Sequence, residues 1–231
     1  MKNYRHLFFD LDLTLWDFEK NSSETLQELH AELCVQGKYN IASHDFISAY
    51  QYYNDILWDQ YRLGIITKEG LRVQRFQQAL MHFGIEDNLL ATEMGDGYIA
   101  RSPMKTHLFP YTIEILEYLN SKYTLHIITN GFHEVQFIKL DNSGLRKYFK
   151  NIITSESSGF KKPDKRIFHH SLYRAKAKSK QSIMIGDHLE VDIVGARNAG
   201  LDQIYFNPKK IAHKEMVTYE IDCLSRLKDI F

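Results

Sequence analysis

The sequence predicts an α/β fold: a parallel sheet covered on both faces, with a bundle of helices inserted after the first strand. Three observations predict it. Short apolar runs recur at residues 6–9, 125–129, 151–154, 182–185 and 203–206. Most are rich in Ile, Leu or Phe with little polar alternation, as expected of strands buried on both faces. From Leu125 onward these runs alternate with helical patterns, the signature of a parallel sheet. Between the first run and Leu125 no comparable strand run occurs, and the pattern reads as helical.

The elements follow in order. After the first strand, helices are expected at about 22–36, 44–63, 67–83 and 88–100. Thr67, with Lys68 and Glu69, is a helix start, and His82-Phe83-Gly84 a stop. This amphipathic bundle begins near Asp17 and returns near residues 106–110. The expected division is therefore a sheet core of residues 1–16 and 107–231 and a helical insertion of 17–106. In the second half, residues 164–175 form a helix opened by Asp164, a capping residue. Residues 189–199 form another, ended by Gly200 in a position that favours left-handed backbone.

Bulk properties narrow the function classes. A chain of 231 residues suits one core with an insertion and can bury a sizeable interior. Lys+Arg and Asp+Glu both count 29, so no global field favours nucleic acid or an anionic membrane. Phosphate recognition, if present, must come from a focused site. No run of about 18 apolar residues marks a membrane span. Asp10 and Asp12 interrupt the apolar N-terminal stretch, which argues against a signal peptide. The 2 cysteines, Cys34 and Cys223, lie far apart and in no metal-binding spacing, so a reducing, cytoplasmic setting is expected.

Four strand ends carry the chemistry. In FFDLDLTL, residues 8–15, an apolar strand ends in Asp10 and a second carboxylate, Asp12, follows. Open parallel sheets bind ligands at this end of their strands. Two such close acids repel one another, and a divalent cation makes the pair useful. LHIITNG, residues 125–131, ends in Thr129, Asn130 and Gly131, where a hydroxyl and free backbone N–H groups can cradle a phosphate oxygen. In GFKKPD, residues 159–164, Lys162 precedes Pro163 and is biased to extended backbone, which puts a cation at a helix entrance. In residues 183–196 another strand ends in Gly186-Asp187, with Asp192 five residues on. A hard cation takes one or two such carboxylates plus substrate phosphate. Each feature alone has a plain reading as a turn, a cap or a solvated lysine. Together they supply a nucleophile, a hydroxyl donor, a cation and a metal ligand in order.

The four elements resemble those of the haloacid dehalogenase superfamily of phosphotransferases, over nearly the whole chain. The resemblance rests on Asp10, Asp12 and Thr14 in the DxDxT element, on Thr129, on Lys162, and on Asp187 and Asp192 in GDHLEVD. It implies a Rossmann-like sheet of strand order 5-4-1-2-3 with an α-helical cap of the family's first type. It also implies Mg²⁺ held by Asp10, Asp187 and the Asp12 backbone carbonyl, with Asp192 just behind. Asp10 is then the nucleophile that forms an aspartyl-phosphate and Asp12 the general acid/base. Thr129, Lys162 and backbone N–H groups near Asn130 balance the phosphoryl charge.

Residues 54–76 and 128–149 further resemble bacterial pyrimidine 5′-nucleotidases, which makes a nucleoside monophosphate the expected small-molecule substrate. Trp58, Tyr61, Arg72, Arg75 and Phe76 are the cap residues to watch, with Trp58 and Arg75 the expected substrate contacts. Packing within the bundle is an equal reading for Trp58 and Phe76. A sugar-phosphate phosphatase, a phosphomutase or a catalytically silent binding relative are the alternatives. Asp12 argues against a dehalogenase, which needs no second carboxylate. His188 departs from the small hydroxyl residue more usual after Asp187 and is read as an exposed loop residue. No nucleic-acid or membrane partner is expected, and either a monomer or a homodimer is compatible with the sequence.

Overall fold

The computed structural model describes residues 3–231. A six-stranded, all-parallel sheet has the order β3-β2-β1-β4-β5-β6. Its strands are β1 (His6–Phe9), β2 (Thr124–Thr129), β3 (Phe149–Thr154), β4 (Ser182–Gly186), β5 (Asp202–Phe206) and β6 (Tyr219–Ile221). The first five follow the expected order. β6 is an addition: its three residues, mostly exposed, carry too short an apolar signal to stand out in sequence.

The chain forms two compact units, one comprising the N-terminal stretch to Phe18 with Thr106–Phe231, the other Glu19–Lys105. Both faces of the sheet are covered. Leu7 and Phe9 point into a core with Ile115, Leu116 and Leu140, while Phe8 points into another with Ile167, Phe168 and Met184. Alternate residues of one short strand thus enter two cores, which is why the strand runs lack polar alternation. The covering helices are α6 (Thr112–Asn120), α7 (His133–Asn142), α8 (Ser155–Ser158), α9 (Lys165–Ala175), α10 (Gly195–Asn198) and α11 (Leu227–Ile230).

In the helical unit, α1 (Phe18–Glu32, whose first residue belongs to the sheet unit), α2 (Val35–Tyr39), α3 (Ser43–Arg62), α4 (Lys68–Met81) and α5 (Asn88–Arg101) pack around Leu26, Phe46, Tyr50, Phe76 and Met94. The Thr67 hydroxyl caps α4 by accepting from the Gly70 amide at 3.1 Å. The first expected helix differs: α1 starts at Phe18 and stops at Glu32, and Cys34, in left-handed backbone at φ 53°, separates it from α2.

The expected helix over residues 189–199 is also corrected. Leu189–Val194 is a π-helix that gives way to α10. The wider turn coincides with Asp192, whose side chain reaches back toward Gly186 and Lys162. Such insertions gather at functional sites. Gly200 does adopt left-handed backbone, at φ 79°.

Candidate active site

The parallel register aligns the strand ends. Phe9 pairs with Ile127 and Ile185, and Thr129 with Thr154. Asp10, Asn130, Ser155 and Asp187 therefore leave the sheet at one edge. Directly after Asp10 the chain makes a tight turn, in which the Trp16 amide donates to Leu11 O at 2.9 Å and Leu13 takes left-handed backbone at φ 62°. A non-glycine residue there is uncommon, and such strain gathers at functional sites. The turn brings the Thr14 hydroxyl to 3.0 Å from Asp187 Oδ1, joining the first and fourth elements.

Lys162 is the charge centre of the site. Its side chain is 2% exposed, and its ammonium contacts Asp10 Oδ1 at 2.6 Å, Asp192 Oδ1 at 2.7 Å and Ile128 O at 2.8 Å. Burial alone lowers a lysine, but Asp10 and Asp192 outweigh it and hold the ammonium above its ordinary range. The lysine is carried on a latched loop. The Asn130 side chain donates to Lys162 O at 2.9 Å and accepts from the Lys162 amide at 2.8 Å. The side chain of Asn130 is thus committed to Lys162, and its backbone carbonyl accepts from the Ser155 hydroxyl at 3.3 Å.

Asp10, Asp187 and Asp192 have carboxylate oxygens within 4.8 Å of one another. Burial, with Asp192 and Asp12, pushes the Asp10 carboxyl up against the opposing pull of Lys162. Burial, then Asp192 and Asp10, push Asp187 well above the usual carboxylate range. Three crowded acids face one ammonium, and a divalent cation is the group that fits this donor set: hard oxygen ligands with a surplus of negative charge. Gly186 permits the crowding. A Cβ there would lie 2.4 Å from Asp192 Oδ2.

The second carboxylate, Asp12, stands apart from this cluster and has its own partners. Lys139 Nζ contacts its Oδ1 at 2.6 Å, and Gln136 Nε2 donates to its Oδ2 at 2.8 Å. Gln136 Nε2 also donates to Thr129 Oγ1, at 2.6 Å, and the Gly131 amide donates to the same oxygen at 3.0 Å. With its lone pairs engaged, the Thr129 hydroxyl has its proton to give. The sequence reading missed Gln136 and Lys139. Their signal was present: both interrupt the apolar face of α7 formed by Val135 and Leu140.

Seven of the expected site residues thus meet in the sheet unit: Asp10, Asp12, Thr129, Asn130, Lys162, Asp187 and Asp192. Trp58 and Arg75 belong to the helical unit. The Trp58 ring meets Tyr61 edge-on at 5.5 Å between centroids. Arg75 is 3% exposed, with its guanidinium 4.6 Å from the Tyr98 ring centre, 5.5 Å from Phe76 and 5.7 Å from Tyr50. Phe76 is a fully buried core residue of the bundle, and Arg72 pairs with Asp96. His188 is an exposed loop residue, as expected, and its ring also accepts from the Val191 amide at 3.3 Å, capping the π-helix.

Comparison with known proteins bears on these residues. A sequence model described as haloacid dehalogenase-like hydrolase matches residues 4–200. YfnB of Bacillus subtilis is 31% identical over 234 residues, covering 100% of this chain and 96% of that protein. Its crystal structure, described as bound to magnesium, superposes with a TM-score of 0.89 over 99% of both chains. The pyrimidine 5′-nucleotidase YjjG of Escherichia coli is 31% identical, covering 97% of this chain and 96% of its own. A glyceraldehyde 3-phosphate phosphatase of Methanothermobacter thermautotrophicus is 30% identical, covering 97% and 98%. A match that runs from before β1 to beyond the π-helix takes in all four strand ends, and these three relatives cover 97% or more of this chain. The chain therefore belongs to the haloacid dehalogenase-like hydrolases.

Proposed function

We propose that the protein is a Mg²⁺-dependent phosphomonoester hydrolase that works through an aspartyl-phosphate on Asp10 and acts on pyrimidine nucleoside 5′-monophosphates. The observation that carries the hydrolase chemistry is the pairing of two differently held carboxylates at one strand end. Asp10 sits in the Lys162 cluster, while Asp12 is gripped separately by Lys139 and Gln136. One is placed to attack and the other to move a proton.

The cation, held by the Asp10 and Asp187 carboxylates and the Asp12 backbone carbonyl with Asp192 behind, would offset phosphate charge as phosphoryl transfer proceeds. Lys162 steadies the attacking carboxylate, and the Thr129 hydroxyl donates to a phosphoryl oxygen. Asp12 gives its proton to the leaving ester oxygen and then takes one from the water that frees Asp10.

The substrate assignment draws on the likeness to YjjG and on the helical unit, where we assign base recognition to Trp58; Arg75, expected as a substrate contact, is instead buried among Tyr50, Phe76 and Tyr98 and packs the bundle. Aromatic stacking on a base contributes about 1–3 kcal/mol in nucleic-acid complexes. The comparable likeness to a glyceraldehyde 3-phosphate phosphatase supports a second reading, a sugar-phosphate substrate. A phosphate-release panel with Mg²⁺ and with EDTA separates them. Fastest turnover of dUMP, dTMP or UMP is expected. Faster turnover of glyceraldehyde 3-phosphate transfers the assignment, and no Mg²⁺-dependent phosphate release from any ester overturns it.

A further inference from the structure

We propose that Lys139 and Gln136, on one buried face of α7, are positioning residues that hold Asp12 in register with Thr129 for proton transfer to and from the substrate. This rests on the phosphatase reading above.

The geometry is a two-pronged bracket. Each prong takes a different oxygen of one carboxylate: Lys139 Nζ takes Oδ1 at 2.6 Å, and Gln136 Nε2 takes Oδ2 at 2.8 Å. Two donors on two oxygens fix both the position of the carboxylate and the rotation of its plane. Each oxygen keeps a further lone pair for the travelling proton. The bracket is itself held rigidly. Gln136 is 0% exposed, and the two hydrogens of its amide nitrogen serve Asp12 and Thr129 Oγ1. One side chain thus ties the proton carrier to the hydroxyl that faces the phosphoryl group.

Lys139 is 5% exposed, and its ammonium lies 4.1 Å from the centre of the Trp16 ring and 5.7 Å from that of Phe18. Trp16 closes the turn that contains Asp12 and Phe18 opens α1 just after it, so the lysine is seated beside the segment it orients. Burying a lysine is costly without a counter-charge, and Asp12 is its carboxylate partner. Gln136 and Lys139 are three apart, on the same face of the helix that follows Thr129. The helix that follows the phosphate-binding strand therefore also sets the acid/base.

The chemistry that needs this placement is balanced as follows. In the first step an Asp10 carboxylate oxygen bonds to phosphorus as the ester P–O bond breaks, and the leaving oxygen takes the Asp12 carboxyl proton. In the second, water bonds to phosphorus as the Asp10–phosphorus bond breaks, and Asp12 takes the water proton. Asp12 is needed in the first step only when the leaving group is a poor one. An alkoxide requires the proton, whereas p-nitrophenolate departs without it.

The test is the ratio of kcat/KM for an alkyl phosphate, the fastest in the substrate panel, to that for p-nitrophenyl phosphate. This ratio reads the first step and is unaffected by any unfolded fraction, which lowers both values alike. Lys139→Met and Gln136→Met should each lower the ratio by roughly 10²-fold, the scale of an ångström-level misplacement. Asp12→Asn should lower it further, and Lys139→Arg should recover part of the loss. A ratio unchanged in both Met variants while Asp12→Asn lowers it overturns the bracket and leaves the phosphatase reading standing. A wild-type protein that releases phosphate from neither ester overturns both.

Discussion

Replacing Lys162 by Met removes the one ammonium, among the described residues, that faces the buried acids of the site. The wild-type ammonium contacts Asp10 at 2.6 Å, Asp192 at 2.7 Å and the Ile128 carbonyl at 2.8 Å. Asp10 and Asp192 are 8% and 1% exposed, so the change leaves two largely buried carboxylates without their counter-charge. Removing one partner of a buried pair costs about 3–5 kcal/mol. In a chain of this size each kcal/mol moves Tm by about 2–4 °C, so the sheet unit should melt roughly 6–20 °C lower in EDTA at pH 7. Mg²⁺ should return part of the loss, because a cation among the three carboxylates replaces the missing charge; saturation at a hundredfold over Kd contributes about 2.7 kcal/mol. Phosphate release should fall by about 10²–10³-fold at saturating Mg²⁺. Calorimetry of both proteins with EDTA and with Mg²⁺ reads the stability effect. An unchanged Tm in EDTA would refute the charge accounting, since it would mean that Asp10 and Asp192 do not depend on Lys162.

Three further outcomes follow from the same geometry. The Asp187 carboxyl is pushed up in the folded state, so without metal the folded form keeps its proton while the unfolded chain releases it as pH rises past about 3.9, and stability falls through that window. Added Mg²⁺ should flatten this slope, which urea titrations across pH with and without the cation would measure. His126, buried and hydrogen-bonded to His6 and Asn151, has its imidazole pushed down to about 3, mainly by burial, so its NMR shifts should stay constant from pH 8 to 5. The unfolded chain takes up that proton below about pH 6.5, so His126 costs stability as pH falls. Gly131→Ala would place a Cβ 2.3 Å from Gln136 Nε2. Displacing Gln136 loosens both Thr129 and Asp12, so a loss of kcat of roughly 10²-fold is expected in steady-state assays.

The parts of the fold and site legible in sequence were those written in consecutive residues. Strands buried on both faces leave uninterrupted apolar runs; Asp10 follows such a run directly, Thr129 ends one, and Asp187 follows one after Gly186. Lys162 was marked by Pro163, and the start of α9 by Asp164, whose carboxylate accepts from the Arg166 amide at 2.9 Å. What sequence did not show depended on contacts between distant segments. Lys139 and Gln136 interrupt the apolar face of α7, but only the fold shows that this face is carried to Asp12. The apolar spacing of Leu189–Val194 does not distinguish a π-helix from an α-helix; the wider turn shows in the fold, where the Ile193 amide donates to His188 O at 3.4 Å. β6 is too short for periodicity to reveal it, and it is held by pairing with β5.

The nucleophilic role of Asp10 can be read directly. Enzyme quenched in acid during turnover of p-nitrophenyl phosphate, reduced with borohydride and digested, should yield a peptide in which the residue at position 10 has become the corresponding alcohol, because an acyl phosphate is reduced and a free carboxylate is not. The Asp12→Asn variant, slowed in releasing the intermediate, should give a higher yield, and Asp10→Asn should give none and release no phosphate. Turnover with no reduced residue at position 10, or near-normal phosphate release by Asp10→Asn, would contradict an aspartyl-phosphate at this position.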